Sequence, residues 1–266
     1  MKKFFAAASV FAIFFIFSGL FLGASSNFSS KNTNKEPVVL EKPLDVITVG
    51  ERFTFEVFWM GIPVGLGTLE VKEKVKKYGR DAYHVIAVAR TNDFLSKLYP
   101  IYDEVHSYID AERFCSLEFE KNVREGRYRA NEKVVYDYEK RVGVYESLLN
   151  HSKKEIEIPG LVHDAVSAFY WFRLQNVGVG KSLRTVVNSR EKNWDLEIQV
   201  LSSHRKELRG RGVFPTILVE PKTLYRDVLY DRGRAWVYFT TDKQRVPLWV
   251  TIKTPFGPVH GVLKTE

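Results

Sequence analysis

Residues 51–71 read ERFTFEVFWMGIPVGLGTLEV, and this stretch decides the fold class. Phe53, Phe55, Val57 and Trp59 recur at every second position, the period that puts one apolar face on a β-strand. Gly61, Pro63 and Gly65 then supply a tight connection, and Leu69 and Val71 resume the alternation on a second strand. Working outward, the same period returns at Tyr83, Val85, Ala87 and Ala89, and again from Tyr102 to Asp110. A hairpin follows, with Leu117, Phe119, Lys121 and Val123 on one arm, a turn at Glu125 and Gly126, and Tyr128, Ala130, Glu132, Val134 and Tyr136 on the other. Lys121 and Glu132 fall on its apolar face, so they must lie at a sheet edge, line a polar cavity or pair with opposite charge. Further strand runs occupy 182–187, 194–201, 213–220, 235–241, 247–253 and 259–264, with Asp242 to Arg245 as a hairpin link and Phe256, Gly257 and Pro258 as the last turn.

One segment breaks the period. Between Leu161 and Leu174, Leu161, Ala165, Phe169 and Phe172 recur at helical spacing, Asp164 stands where an N-cap belongs, and Gly178 and Gly180 lie beyond the end. The pattern predicts a mainly β fold: a curled antiparallel sheet or open β-barrel with one covering helix over about 163–174.

The chain has 266 residues, 45% of them hydrophobic and 14% aromatic, enough for a substantial core in one domain. Its net charge of +8 comes from 40 basic and 32 acidic residues scattered along the strands. That is a solvated surface of mixed sign, without an element that gathers bases to read nucleic acid; an anionic membrane surface stays open as a partner. Lys2 and Lys3 precede the apolar run from Phe4 to Ala24, and Ser25, Ser26, Asn27, Ser29 and Ser30 follow it. This layout predicts a Sec-type export signal over 1–25. The run is also long enough to cross a bilayer, so cleavage and retention as an N-terminal membrane anchor are both open. Either outcome places the rest of the chain in the periplasm or cell envelope, anchored to the inner membrane if the segment is kept. Residues 26–47, rich in Ser, Asn, Lys and Pro, read as a flexible linker, leaving 48–266 as a single β-rich domain. The lone cysteine, Cys115, excludes an intramolecular disulfide and reads as core filler.

Signatures of chemistry are sparse. Neither a phosphate-cradling loop nor a dinucleotide fingerprint occurs. The six histidines, His84, His106, His151, His163, His204 and His260, are spread singly, so no metal site and no cofactor is predicted. No G-x-S-x-G elbow is present, and no catalytic residue is assigned. Asp164, Ser167 and Tyr170 share a helix face, where a structural cap at Asp164 with a hydroxyl backing onto it is the plain reading. Asp103 and Glu104 point to opposite faces of a strand and cannot flank one bond.

Several motifs together resemble a known family. They are G-E-R-F-T-F-E-V-F-W-M-G-I-P-V-G at 50–65, S-Y-I-D at 107–110, F-E-K-N-V-R-E-G-R-Y at 119–128, D-A-V-S-A-F-Y-W-F-R at 164–173, V-F-P-T-I-L-V-E-P at 213–221 and R-V-P-L-W-V at 245–250. In order and spacing they resemble the bacterial exported proteins of domain of unknown function 3108 (DUF3108). The resemblance implies an exported, β-rich domain with no assigned activity and no agreed catalytic residues.

Three functions follow as expectations. The first is non-catalytic binding of a lipid or other apolar ligand inside the curled sheet. The second is an interaction or assembly role with a protein partner of the envelope. The third is a hydrolase, which would need a positioned nucleophile and base. For a ligand, the expected site is the helix face bearing Phe169, Tyr170 and Arg173 together with Trp59 and Tyr108, where aromatics give contact area and the guanidinium fixes an acidic head group.

Overall fold

The structure, a computed structural model, describes residues 46–189, 191–225, 228–229 and 234–264. The export or anchor segment expected over 1–25, and the linker as far as Asp45, lie outside the described residues. Val46 and Ile47, counted with the linker, are instead buried, and Ile47 joins the main core. The packed domain thus takes in two more residues than the pattern indicated, because both side chains are apolar and buried.

The strands are β1 (Arg52–Trp59), β2 (Ile62–Lys77), β3 (Arg80–Thr91), β4 (Tyr102–Asp110), β5 (Ser116–Glu125), β6 (Tyr128–Asp137), β7 (Val142–Ser147) and β8 (Lys153–Glu157) in the first half of the chain. The second half supplies β9 (Ser182–Ser189), β10 (Lys192–Leu208), β11 (Gly212–Tyr225), β12 (Val228–Leu229), β13 (Arg234–Thr240), β14 (Pro247–Thr254) and β15 (Gly257–Leu263). All belong to one antiparallel sheet, ordered β8-β7-β6-β5-β4-β3-β2-β1-β15-β14-β13-β11-β10-β9, with β12 beside β11. Two meanders are therefore joined where β1 pairs with β15, and the free edges β8 and β9 are consecutive in sequence.

The chain between those edges carries the covering helix, α2 (Ala165–Arg173), and stitches the curl together. His163 bridges Val187 in parallel, its N–H donating to Val186 O at 2.9 Å, while Ser116 N–H donates to Val162 O at 3.0 Å. Side chains finish the seam: Asn193 Nδ2 donates to Glu157 O at 2.7 Å, Tyr136 OH donates to Asn188 Oδ1 at 3.2 Å, and Lys154 pairs with Glu191 at 2.6 Å. The sheet curls into an open barrel because most of its strands feed their apolar alternate residues to one concave face. There Phe53, Phe55 and Val57 meet Val85, Ala87 and Ala89 from one side and Val237, Phe239 and Val250 from the other. Full burial of each such Val or Phe side chain stabilises the fold by roughly 1.5–3 kcal/mol.

Lys121 and Glu132 sit directly opposite one another in register and pair at 2.8 Å, which resolves the charges on the apolar face. Cys115 is wholly buried, and burial pushes its thiol up to about 11. Two features were not legible. β7 and β8 are short strands at the rim, where β7 is half-buried on both faces and β8 is mostly exposed, so neither shows a clean alternation. A second helix, α1 (Asp93–Ser96), is a single turn capped by Asn92, whose side chain accepts from Leu95 N–H at 2.8 Å.

Candidate binding site

α2 begins at Asp164 for a local reason. The Asp164 carboxylate accepts from Val166 N–H at 2.7 Å and Ser167 N–H at 2.9 Å, and Ser167 Oγ returns a bond to Asp164 N–H at 2.9 Å, a complete capping box. Asp164 and Ser167 are thereby engaged in holding the helix start. Ser107 of β4 donates to the second carboxylate oxygen at 2.7 Å and ties that end of α2 to the sheet. Burial raises the Asp164 pKa, although these donors work against the shift.

The other end is tied by Arg173. Its side chain is fully buried, forms a two-pronged pair with Glu51 at 2.6 and 2.7 Å, and donates to Gln244 O at 2.9 and 3.1 Å. Removing one partner of such a buried pair costs about 3–5 kcal/mol because the other charge is left uncompensated. α2 is thus latched at both ends across the concave face.

Between the latches lies a cavity of about 80 Å³. The helix contributes Ala165, Val166, Ala168, Phe169 and Phe172, and the sheet contributes Phe55, Leu69, Ile198, Val219, Val237, Phe239 and Val250, with Pro221 and Pro247 completing the lining. Every lining residue is apolar. Phe169 and Phe172 both lean on Phe239, with ring centroids 5.8 and 5.1 Å away.

The five expected ligand residues divide. Phe169 lines the cavity. Tyr170 and Arg173 lie beside it but are wholly buried in packing: the Tyr170 ring meets Phe169 edge-on at 5.2 Å, and the Arg173 guanidinium stands 5.3 Å from the Tyr170 ring. Burial, with Glu51 nearby, pushes the Tyr170 hydroxyl well above its ordinary pKa. Trp59 is on the correct face but four residues along β1 from Phe55, about 13 Å at strand rise, and its Nε1 donates to Phe256 O at 3.0 Å. Tyr108 is on the opposite face of the sheet, stacked on His84 at 4.5 Å with Lys77 Nζ 3.8 Å above its ring. Its neighbour Ser107 is the residue of that strand that reaches α2.

The sequence reading missed Glu51, Ser107 and Arg245. The first two stand inside conspicuous motifs, but their partners are 122 and 57 residues away. Arg245 is a guanidinium near the cavity with no ion pair among the described residues: it lies 5.5 Å from the Phe172 ring, Nη2 donates to Val177 O at 3.4 Å, and Nη1 is buried without a hydrogen-bond partner among those residues. Burial lowers its pKa. Among the described residues, no group of three or more His, Cys, Asp or Glu side chains is placed to hold a metal ion.

A curled, open antiparallel sheet with a latched helix over an apolar cavity defines the class: a barrel-like β protein. The chain belongs to the DUF3108 family, proteins of unknown function, which it matches over residues 54–264. Its fold is similar to that of a solved β-barrel-like protein of domain of unknown function DUF1849 from Brucella abortus, at 9% identity and a TM-score of 0.55, with 80% of this chain and 95% of that one covered. No curated protein matches the chain.

Proposed function

We propose that this protein is a non-catalytic binder of an apolar ligand in the cell envelope, taking a hydrocarbon chain into the space beneath α2. The observation that carries the reading is the cavity of about 80 Å³ whose lining is apolar throughout, between a helix and the concave face of a curled sheet. A dry apolar cavity gains from an apolar guest and offers little to a polar one. Its volume is below the roughly 300–1,000 Å³ of pockets that hold drug-sized ligands. A lipid-sized guest therefore enters as a chain end and requires α2 to lift, with Gly160 and Gly178 flanking it where an added Cβ would meet nothing. Within this reading an acidic end of the ligand falls to Arg245, since Arg173 is already paired.

The test is native mass spectrometry with lipid extraction on the full chain purified gently from a host envelope. The expected result is a stoichiometric apolar adduct. The same adduct should be lost from Ala168→Leu, which adds three carbons to the cavity wall while urea unfolding confirms the fold. A clean apo mass, repeated with host lipids supplied, overturns the reading and favours an assembly partner.

A further inference from the structure

We infer that the end of the barrel formed by the β1–β2 turn, the α1 segment and the β5–β6 turn docks onto an anionic membrane surface. Hydrogen bonds make these three segments one surface. Asn92 Nδ2 donates to Pro63 O at 2.8 Å and Asn92 N–H to Val64 O at 2.9 Å, joining the α1 segment to β2. Gly126 N–H donates to Pro100 O at 2.8 Å, joining it to the β5–β6 turn, and the Tyr99 ring lies so close to Gly126 that a Cβ there would be 2.6 Å from it.

That surface presents large apolar side chains to solvent. Phe94 and Leu98 are 76% and 73% exposed, and Met60, Ile62 and Tyr128 are 63%, 62% and 59% exposed. The presentation is built into the turn: Leu95 and Tyr99 pack inward against the core, which turns Phe94 and Leu98, four residues apart, outward on one side. Charge selects the partner. Arg90, Lys97, Arg124, Arg127 and Arg129, in these segments or within two residues of them, are all exposed, and none forms an ion pair among the described residues. Of the acids at positions 90–102 and 124–129, Asp93 is exposed and Glu125 is half-buried. Exposed apolar side chains beside bases that form no ion pair match a bilayer interface bearing anionic lipid, where the apolar groups enter the head-group boundary and each base adds attraction. Five of the chain's 40 basic residues, drawn from separate stretches of sequence, are brought together here by topology.

The test reads this end of the molecule alone, so that attachment through residues 1–25 does not confuse it. Leu98→Cys in the full chain is labelled with an environment-sensitive dye; Cys115, buried and with a raised thiol pKa, stays unlabelled. Lys243→Cys, in a turn at the opposite end, is the control. With vesicles containing phosphatidylglycerol the dye at position 98 should shift to the blue and the dye at 243 should not. Pure phosphatidylcholine vesicles should give no shift. Arg124→Gln, Arg127→Gln and Arg129→Gln combined should raise the half-saturating lipid concentration on the order of 100-fold, the weight of three bases at an anionic surface. No shift with either lipid, an equal shift with both, an equal shift at 243, or binding unmoved by the triple variant would each overturn the inference.

Discussion

At His163 burial decides the protonation state. The ring is enclosed, packed against Trp171 at 5.4 Å, and Nδ1 has no hydrogen-bond partner among the described residues. Burial lowers its pKa from 6.5 to about 4. The unfolded chain therefore takes up a proton near pH 6.5 that the folded chain refuses until about pH 4. Stability should fall as the pH drops through this window, by on the order of 3 kcal/mol, and stay flat with respect to this group above it. Urea unfolding at a series of pH values checks this: His163→Phe, which keeps a ring against Trp171, should show a shallower slope between those two values, and an unchanged slope would assign the acid sensitivity elsewhere. Nothing local to His163 marks this, because its enclosure depends on residues 114, 171 and 187 converging on it. The division of labour between Arg173 and Arg245 was equally hidden: both are single arginines in conspicuous motifs, and only the folded chain pairs Arg173 with Glu51.

At the scale of elements, the start of α2 was legible because capping is local. An acceptor side chain and the N–H groups it meets lie within three residues, so Asp164 and the helical spacing after it were sufficient. Asp164→Ala should destabilise the protein by about 2 kcal/mol, the upper end for an N-cap, since it also strands Ser107. Asp164→Asn, which keeps an acceptor oxygen, should lose less. Urea midpoints at constant slope measure both, and equal losses would show that the charge rather than the cap matters. The strands of the hairpin at 117–136 were legible for the same short-range reason, including the need of Lys121 for a partner. β7, β8 and α1 were not. Their side chains are shared between two half-covered faces or confined to one turn, so the period that marks an element never develops.

Over the whole molecule, β15 is the hinge of the topology, since its pairing with β1 joins the two meanders. A chain ending at Thr254 would expose the edges of both β1 and β14 and lose Val259 from the core. It should show no cooperative thermal transition and no near-ultraviolet circular dichroism signal; a native-like signal would mean that the meanders fold separately. The covering helix also has its explanation at this scale. β8 and β9 are both edges of the sheet and neighbours in sequence, so the segment between them must cross the gap, and burying its apolar face there closes the barrel.

By itself the sequence determined the β class, the position of the main helix and its cap, the absence of disulfide support and the likeness to DUF3108. All of these rest on backbone periodicity, turn chemistry or residue count, which act over a few positions. Tertiary structure alone decided which edges meet, which aromatic residues border the cavity, which arginine is left without a carboxylate and where the bases gather. Those outcomes depend on pairs more than 50 residues apart, such as Arg173 with Glu51 and Ser107 with Asp164. A period of two says which face a side chain takes; only the closed path of the sheet says what that face meets.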